Sequence, residues 1–478
     1  MKITDLKPTI VWKFFHQVTQ VPRPSKKEGK MIEFLESFAK EYKIAIKKDE
    51  AGNLLMSKPA TPGMEDRPVV VLQSHMDMVC EKAPDCDKDM DEEGLDLLID
   101  GDFISAKGTT LGGDDGIAVA YALAILDDDS LSHPRLEFVC TVCEEVGMEG
   151  ATGIDVSMLK GKKLLNMDSE EEGVMLASCA GGCRADVKLP VERETVSGTK
   201  LTVSLSGLTG GHSGSEIDKG RGNANTLMSR LLRDASAPVA IASIDGGRKD
   251  NAIPRECTAQ IIVAPDEVAA VKASIEQAAA EIAEEFKASD PDLKLAVSEE
   301  TDCSESAISA KDSARVIALI EALPNGIIRM SREIDKLVET SLNLGVLKSD
   351  DTAVTLRYAV RSSVGVAKKS LKNQLVCIAG AFAAEVTFEG DYPAWEYKKD
   401  SKLREDMVRI FEEMYGKKPT VEAIHAGVEC GLLSGKIEGL DCISMGPDMY
   451  DIHTTEERLS ISSAKRSYEY ILRVIACK

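Results

Sequence analysis

Three short apolar runs, each breaking off at acids or histidine, constrain most what this chain can fold into. Residues 69–73 read VVVLQ and run into Ser74-His75-Met76-Asp77. Residues 136–142 read LEFVCTV and stop at Cys143-Glu144-Glu145. Residues 163–168 read KLLNMD, with Glu170, Glu171 and Glu172 just beyond. A run with no polar face predicts a strand covered on both sides, as in a parallel sheet. Between the first two runs, KGTTLGGDDG leads into an apolar stretch over 117–126 that predicts a helix. Strand, helix, strand with polar residues at the strand ends is the pattern of an α/β sheet. Ligands of such sheets gather beyond the carboxyl ends of the strands.

The texture then changes. Ahead of the runs, Ser25 and Glu28 read as a capping box for a helix carrying Met31, Leu35, Phe38 and Tyr42. After Cys183, residues 200–207 (KLTVSLSG) alternate as a half-buried strand and 257–265 do so less cleanly. An Ala- and Glu-rich helix is predicted over 266–286, more alternation follows in 351–363, and 384–390 read as another strand. Beyond the DYPAW turn come an amphipathic helix marked by Leu403, Met407, Ile410 and Phe411, an apolar run at 440–445 and a last helix over 462–476. The organisation expected is an α/β domain, 1–186 with 397–478, whose mostly parallel mixed sheet is flanked by helices. An inserted α+β domain over 187–396 interrupts it. A chain of 478 residues is also long for a single core.

Charge excludes some partners. With 58 Lys and Arg against 80 Asp and Glu, the formal charge is -22, which argues against nucleic acid and anionic membrane but leaves cations open. The first residues lack the apolar run of a signal peptide, and no window reads as a membrane span, so a cytoplasmic location is expected. The twelve cysteines are expected as free thiols. Cys140 and Cys143 form a C-x-x-C without a second pair at zinc-finger spacing and read as core, and Cys179 and Cys183 read as structural.

The strand ends carry the chemistry. In a strand, His75 and Asp77 face the same way, so an imidazole could ligate a metal with a carboxylate behind it. Taken alone, H-x-D is weak. Asp114, Asp115, Glu144, Glu145 and Asp168 occupy equivalent places, and carboxylates converging in a cleft repel one another and resist desolvation. A bound cation removes that cost. Of the adjacent pair, Glu145 is assigned to metal and Glu144 to proton transfer. No phosphate-binding G-x-x-x-x-G-K-[ST], no G-x-S-x-G and no H-E-x-x-H is present. His212, in GLTGGHSG over 207–214, stands between small residues as either a ligand contact or a plain turn residue.

Taken in order, QSHMDMVCEK, KGTTLGGDDGIAVA, TVCEEVGMEGA, LLNMDSEEEG, SGLTGGHSG, DNAIPRE, ETSLNLG, HAGVECG and GPDMYDIHTTEE span residues 73–457. This set resembles the M20 metallopeptidases, and among them the bacterial aminoacyl-histidine (Xaa-His) dipeptidases. The resemblance implies a dipeptidase that cleaves short peptides, Xaa-His dipeptides foremost, with water activated by two zinc ions and Glu144 as general base. Cobalt or manganese could stand in for zinc. It implies metal ligands at His75, Asp114, Glu145, Asp168 and His453, with Asp114 bridging and Asp77 clamping His75. It implies that the insertion is a lid that carries a homodimer interface. His212 would stabilise the oxyanion from there, in its own or the partner subunit's site. Asn223, Arg361 and Glu429 match positions that handle substrate. Relatives often have Ala and Asn around the bridging acid where this chain reads LGGDDG. A tripeptidase or an N-acyl amino acid deacylase of the same design remains open.

Overall fold

The computed structural model describes residues 2–477. The chain forms two compact units: one holds residues up to 179, 397–423 and from 428 onward, the other 180–396 with 424–427. The strand Gly181–Pro190 belongs to the second unit's sheet, so residues 180–186, expected with the first domain, lie in the second unit.

The first unit is built on an eight-stranded sheet in the order 45–48, 54–58, 136–141, 70–75, 163–166, 441–444, 174–179, 420–424. Its four inner strands are β1 (Val70–His75), β2 (Leu136–Thr141), β3 (Lys163–Asn166) and β4 (Asp441–Ser444). β1 lies parallel between β2 and β3, and β3 is parallel to β4. Toward one edge the strands 45–48 and 54–58 pair antiparallel, giving the mixed sheet expected. β1 and β2 are buried at every residue, as strands covered on both faces require, and they bury Gln73, Ser74, Glu137 and Thr141 among their apolar residues. Their register sets His75 beside Thr141 and Gln73 beside Asn166. Three parallel strands thus end side by side, each releasing its acids at the same rim.

Helix α1 (Gly113–Asp127) packs against β1 and the helix Thr9–Thr19. It is buried from Gly113 to Leu126 because it has no polar face to expose. The Tyr121 hydroxyl donates to the Ala464 carbonyl at 2.8 Å, tying α1 to the helix Ile461–Ile475. Asp114 and Asp115 depart from helical φ and ψ, so the first turn of α1 aims its carboxylates independently of the helix pattern.

Ser25 and Glu28 do not form a capping box. The helix Gly29–Glu41 starts with Glu28 at its N-cap and no side-chain cap. The Ser25 hydroxyl instead donates to Asp77 Oδ2 at 2.8 Å, and Glu28 Oε1 accepts the Cys143 amide at 3.0 Å. Both side chains are drawn to the strand exits by buried partners that a local pattern does not reveal.

The second unit is a nine-stranded sheet in the order 294–308, 193–206, 257–263, 240–246, 338–349, 353–362, 181–190, 385–392, with 326–330 added along 338–349. Its pairings are antiparallel. The helices Ala224–Arg233, Val268–Phe286, Ala310–Ala322 and Gly365–Ala381 accompany the sheet, and Leu201, Ile261, Ile275, Leu342 and Tyr358 belong to a separate core. This is the α+β texture expected of the insertion. No disulfide joins any of the twelve cysteines, and no helix among the described residues is long and apolar enough to cross a membrane.

Candidate metal centre

The rim of the inner strands gathers imidazoles and carboxylates. His75, the last residue of β1, points Nε2 at Asp114 Oδ1 (2.9 Å) and Asp168 Oδ1 (3.3 Å). Asp114 turns its other oxygen to His453 Nε2 at 3.1 Å, and His453 Nε2 also meets the Glu145 carboxylate at 3.0 Å. Asp114 therefore stands between the two imidazoles. Two overlapping groups have donor atoms close enough to share an ion: His75, Asp114 and Glu145, and His75, Asp115 and Asp168.

Asp77 braces this rim from behind. Its Oδ1 accepts the Glu144 amide at 3.1 Å, and its Oδ2 accepts the Glu145 amide at 3.3 Å and the Ser25 hydroxyl. Asp77 Oδ1 also lies 3.4 Å from His75 Nδ1, close enough for charge attraction but outside hydrogen-bond alignment. Asp77 thus ties the end of β1 to the two glutamates that leave β2. Glu145 turns to His453, whereas the Glu144 carboxyl takes no hydrogen bond among the described residues.

The electrostatics describe a negative cluster in want of a cation. Burial opposes charge on His75, yet Asp168, Asp114 and Asp77 together lift it well above the usual histidine range. Hydrogen bonds to the Asp114 and Glu145 carboxylates raise His453 to about 10. Burial, helped by Asp114 and opposed by His75, holds Asp168 up at about 6. Burial first, then neighbouring acids, also pushes Asp115 and Glu144 well up. Without a counter-ion these groups must hold extra protons to coexist. The set of two imidazoles and several carboxylates, with a buried Asp115 oxygen left unpartnered, fits a pair of divalent cations that accept N and O ligands.

The other expected residues fall elsewhere. Glu429, at the start of helix α2 (Glu429–Lys436), lies fully buried in the first unit. Its Oε2 accepts from Gln73 Nε2 at 2.5 Å and Thr141 Oγ1 at 2.7 Å, so it braces β1 to β2 under the rim. His212, Asn223 and Arg361 belong to the second unit. His212 Nδ1 accepts from the Gly214 and Ser215 amides at 3.3 and 3.2 Å, which fixes the ring. Asn223 caps Ala224–Arg233, and its amide donates to Asn343 Oδ1 and the Leu344 carbonyl, both at 3.1 Å, so its hydrogen bonds are satisfied within the unit. Arg361 Nη1 donates to the Tyr392 hydroxyl at 3.3 Å and borders a cavity of about 280 Å³ with Arg184, Asp250 and Asn251.

Two charged residues at the rim were given no role from the sequence, although Glu457 ends the GPDMYDIHTTEE string. Arg23 and Glu457 are buried against the loop that carries Asp114, and both act on backbone atoms. A lone Arg in VPRPS and one Glu of TTEE match no ligand pattern. Asp115 was visible as a neighbour of Asp114, but not its place beside Asp168.

The comparisons agree with this architecture. Residues 71–476 match the model of "Peptidase family M20/M25/M40". The chain is 36% identical over 466 residues to the cytosol non-specific dipeptidase of Escherichia coli (strain K12), covering 97% of this chain and 96% of that protein. The crystal structure of aminoacylhistidine dipeptidase from Vibrio alginolyticus superposes with a TM-score of 0.92 at 34% identity, covering 99% and 98% of the two chains. A tripeptidase from Staphylococcus aureus shares the fold at a TM-score of 0.56 and 15% identity, over 98% of each chain. A family match across most of the chain, over a rim that gathers metal-type ligands, places this protein in the M20/M25/M40 peptidase family as a metallopeptidase.

Proposed function

We propose that this chain is a dinuclear zinc dipeptidase acting on Xaa-His and related dipeptides. The observation that carries this reading is Asp114 held between His75 and His453, with Glu145 and Asp168 on either side. His75, Asp114 and Asp168 would hold one ion, and Asp114, Glu145 and His453 the other. When bound, two such ions lower the pKa of a water and polarise a carbonyl. Glu144 would take the proton from the attacking water and deliver it to the leaving amine; its carboxyl has no hydrogen bond among the described residues and burial favours its protonated form, which suits a proton-transfer group. Asp77 keeps Glu144 and His75 in register through their backbone and ring.

Residues of the second unit would handle the substrate. His212 offers a fixed imidazole for a developing oxyanion, and Arg361 a guanidinium for a terminal carboxylate. Asn223 enters this role less directly, because its side chain is already bonded to Asn343 and Leu344. Glu429 would act from beneath the site through Gln73 and Thr141. The second unit would serve as lid and homodimer surface, and the location would be cytoplasmic. The names of the two similar dipeptidases support dipeptides over longer peptides. The deciding experiment is a panel of Xaa-His dipeptides, other dipeptides, tripeptides and N-acetyl amino acids with zinc-loaded protein. Faster cleavage of tripeptides or N-acyl amino acids than of any dipeptide would overturn the substrate assignment.

A further inference from the structure

The loop Leu111-Gly112-Gly113-Asp114 is gripped from two sides. Glu457 is 2% exposed and directs both carboxylate oxygens at the loop's amides. Oε2 accepts from Leu111 (2.8 Å) and Gly112 (3.0 Å); Oε1 accepts from Gly113 (2.8 Å) and Asp114 (3.4 Å). Arg23 takes the carbonyls. Its Nη1 donates to Met76 at 3.1 Å and Asp77 at 2.7 Å, and its Nη2 donates to Gly112. Arg23 thus binds the exit of β1, just past His75, to the loop that presents Asp114.

This grip explains the glycines. Gly112 has φ +61, and a Cβ there would lie 2.5 Å from Arg23 Nη2. A Cβ on Gly116 would lie 2.6 Å from the same atom, and one on Gly113 3.3 Å from Glu457 Oε1. The loop is bare because two charged side chains lie against its backbone. Glu457 also follows His453 in the same turn of chain. One short segment therefore supplies an imidazole to Asp114 Oδ2 and fixes the backbone from which Asp114 projects.

We infer that Glu457 is a positioning residue of the metal centre: by holding the amides of residues 111–114 it sets Asp114 midway between His75 and His453. This rests on the metal-centre reading above. Glu457 touches neither ion nor substrate in this account. It acts on metal retention through Asp114, as outer partners of metal ligands do.

The test uses the full-length protein, stripped of metal and titrated with zinc against a chromophoric chelator, beside thermal melting of the same samples. Glu457→Gln keeps the size but turns one acceptor into a donor facing amide donors. Glu457→Asp keeps the charge but withdraws it by one methylene. Both should weaken zinc retention by about 10- to 100-fold, with substrate KM unchanged at saturating zinc. The exposed neighbour variant Glu456→Gln removes the same charge and should retain zinc like the parent. Folded Glu457→Gln with zinc affinity within about two-fold of the parent would overturn the inference, as would a lowered melting temperature with unaltered zinc affinity. If the Gln variant does not fold, the Asp variant decides by the same criterion. A parent protein that took up no zinc would remove the metal-centre reading itself.

Discussion

Glu144 and Glu145 are neighbours with opposite surroundings. Glu145 reaches His453 at 3.0 Å, while the Glu144 carboxyl is unbonded and raised well above its ordinary pKa, first by burial. Glu145→Gln should weaken the second ion, the one it would share with Asp114 and His453, because an amide is a poorer ligand for a divalent cation. Glu144→Gln should keep both ions and lose about 10²- to 10⁴-fold in kcat. Metal content and kinetics on the same preparations check this, and the reverse pattern would swap the two roles. A third residue reports on stability. His425 is buried, with Nε2 2.7 Å from Ser341 Oγ, and burial, then Arg361 and His212, push its pKa down to about 3. The unfolded chain binds a proton near pH 6.5 that the folded chain refuses until about 3, so stability from this group is full above 6.5 and falls as pH drops between those values. His425→Gln should remove up to about 1.4 kcal/mol per pH unit from that acid slope, read from urea unfolding at pH 5 and 7. Identical slopes would show that His425 does not titrate this way.

The elements differ in how plainly the sequence announces them. β1, β2 and β3 were legible because strands buried on both faces carry mostly apolar residues in short runs. The strand Lys294–Ile308 was not: among the described residues it is an edge strand paired with Arg193–Ser206, so most of its residues face water and its sequence reads KLAVSEETDCSESAI. The helix Ala310–Ala322 and the strand Val338–Ser349 also escaped the pattern reading. The same contrast holds at the site. His75, Asp114, Glu145 and Asp168 were visible because ligands cluster where parallel strands end. Arg23 and Glu457 were not, because they bind backbone atoms, and a partner's amide leaves no trace in residue type. The loop between them should tolerate little. Gly112→Ala would force a side chain into φ +61 and against Arg23, for a loss of about 1–3 kcal/mol. Denaturant titration of the metal-free protein checks this, and an unchanged midpoint would show that Arg23 can move aside.

At the level of the whole molecule, the crowding of acids at one rim should make stability depend on metal. Removal of metal by a chelator should abolish activity and lower the melting temperature. Ligand at 1,000 times its Kd stabilises a folded form by about 4 kcal/mol. Elemental analysis of active protein should give two ions per chain; one ion or none would refute a dinuclear centre. Light scattering on active protein at micromolar concentration should give a dimer mass, and a monomer of full activity would end the lid-and-interface reading.

Helix α1 bears on how the chain is made. It is apolar on every side, and Tyr121 on it is bonded to Ala464 near the end of the chain. His453 and β4 also come from the final stretch. A ribosome that has delivered only the first 396 residues has therefore supplied everything for the second unit's sheet, yet leaves α1 without part of its cover and the rim short of an imidazole and a strand. The inserted portion can mature early, as a contiguous run of nascent chain. The first-begun portion must wait for residues 441–464, and until then its most apolar helix stays partly uncovered.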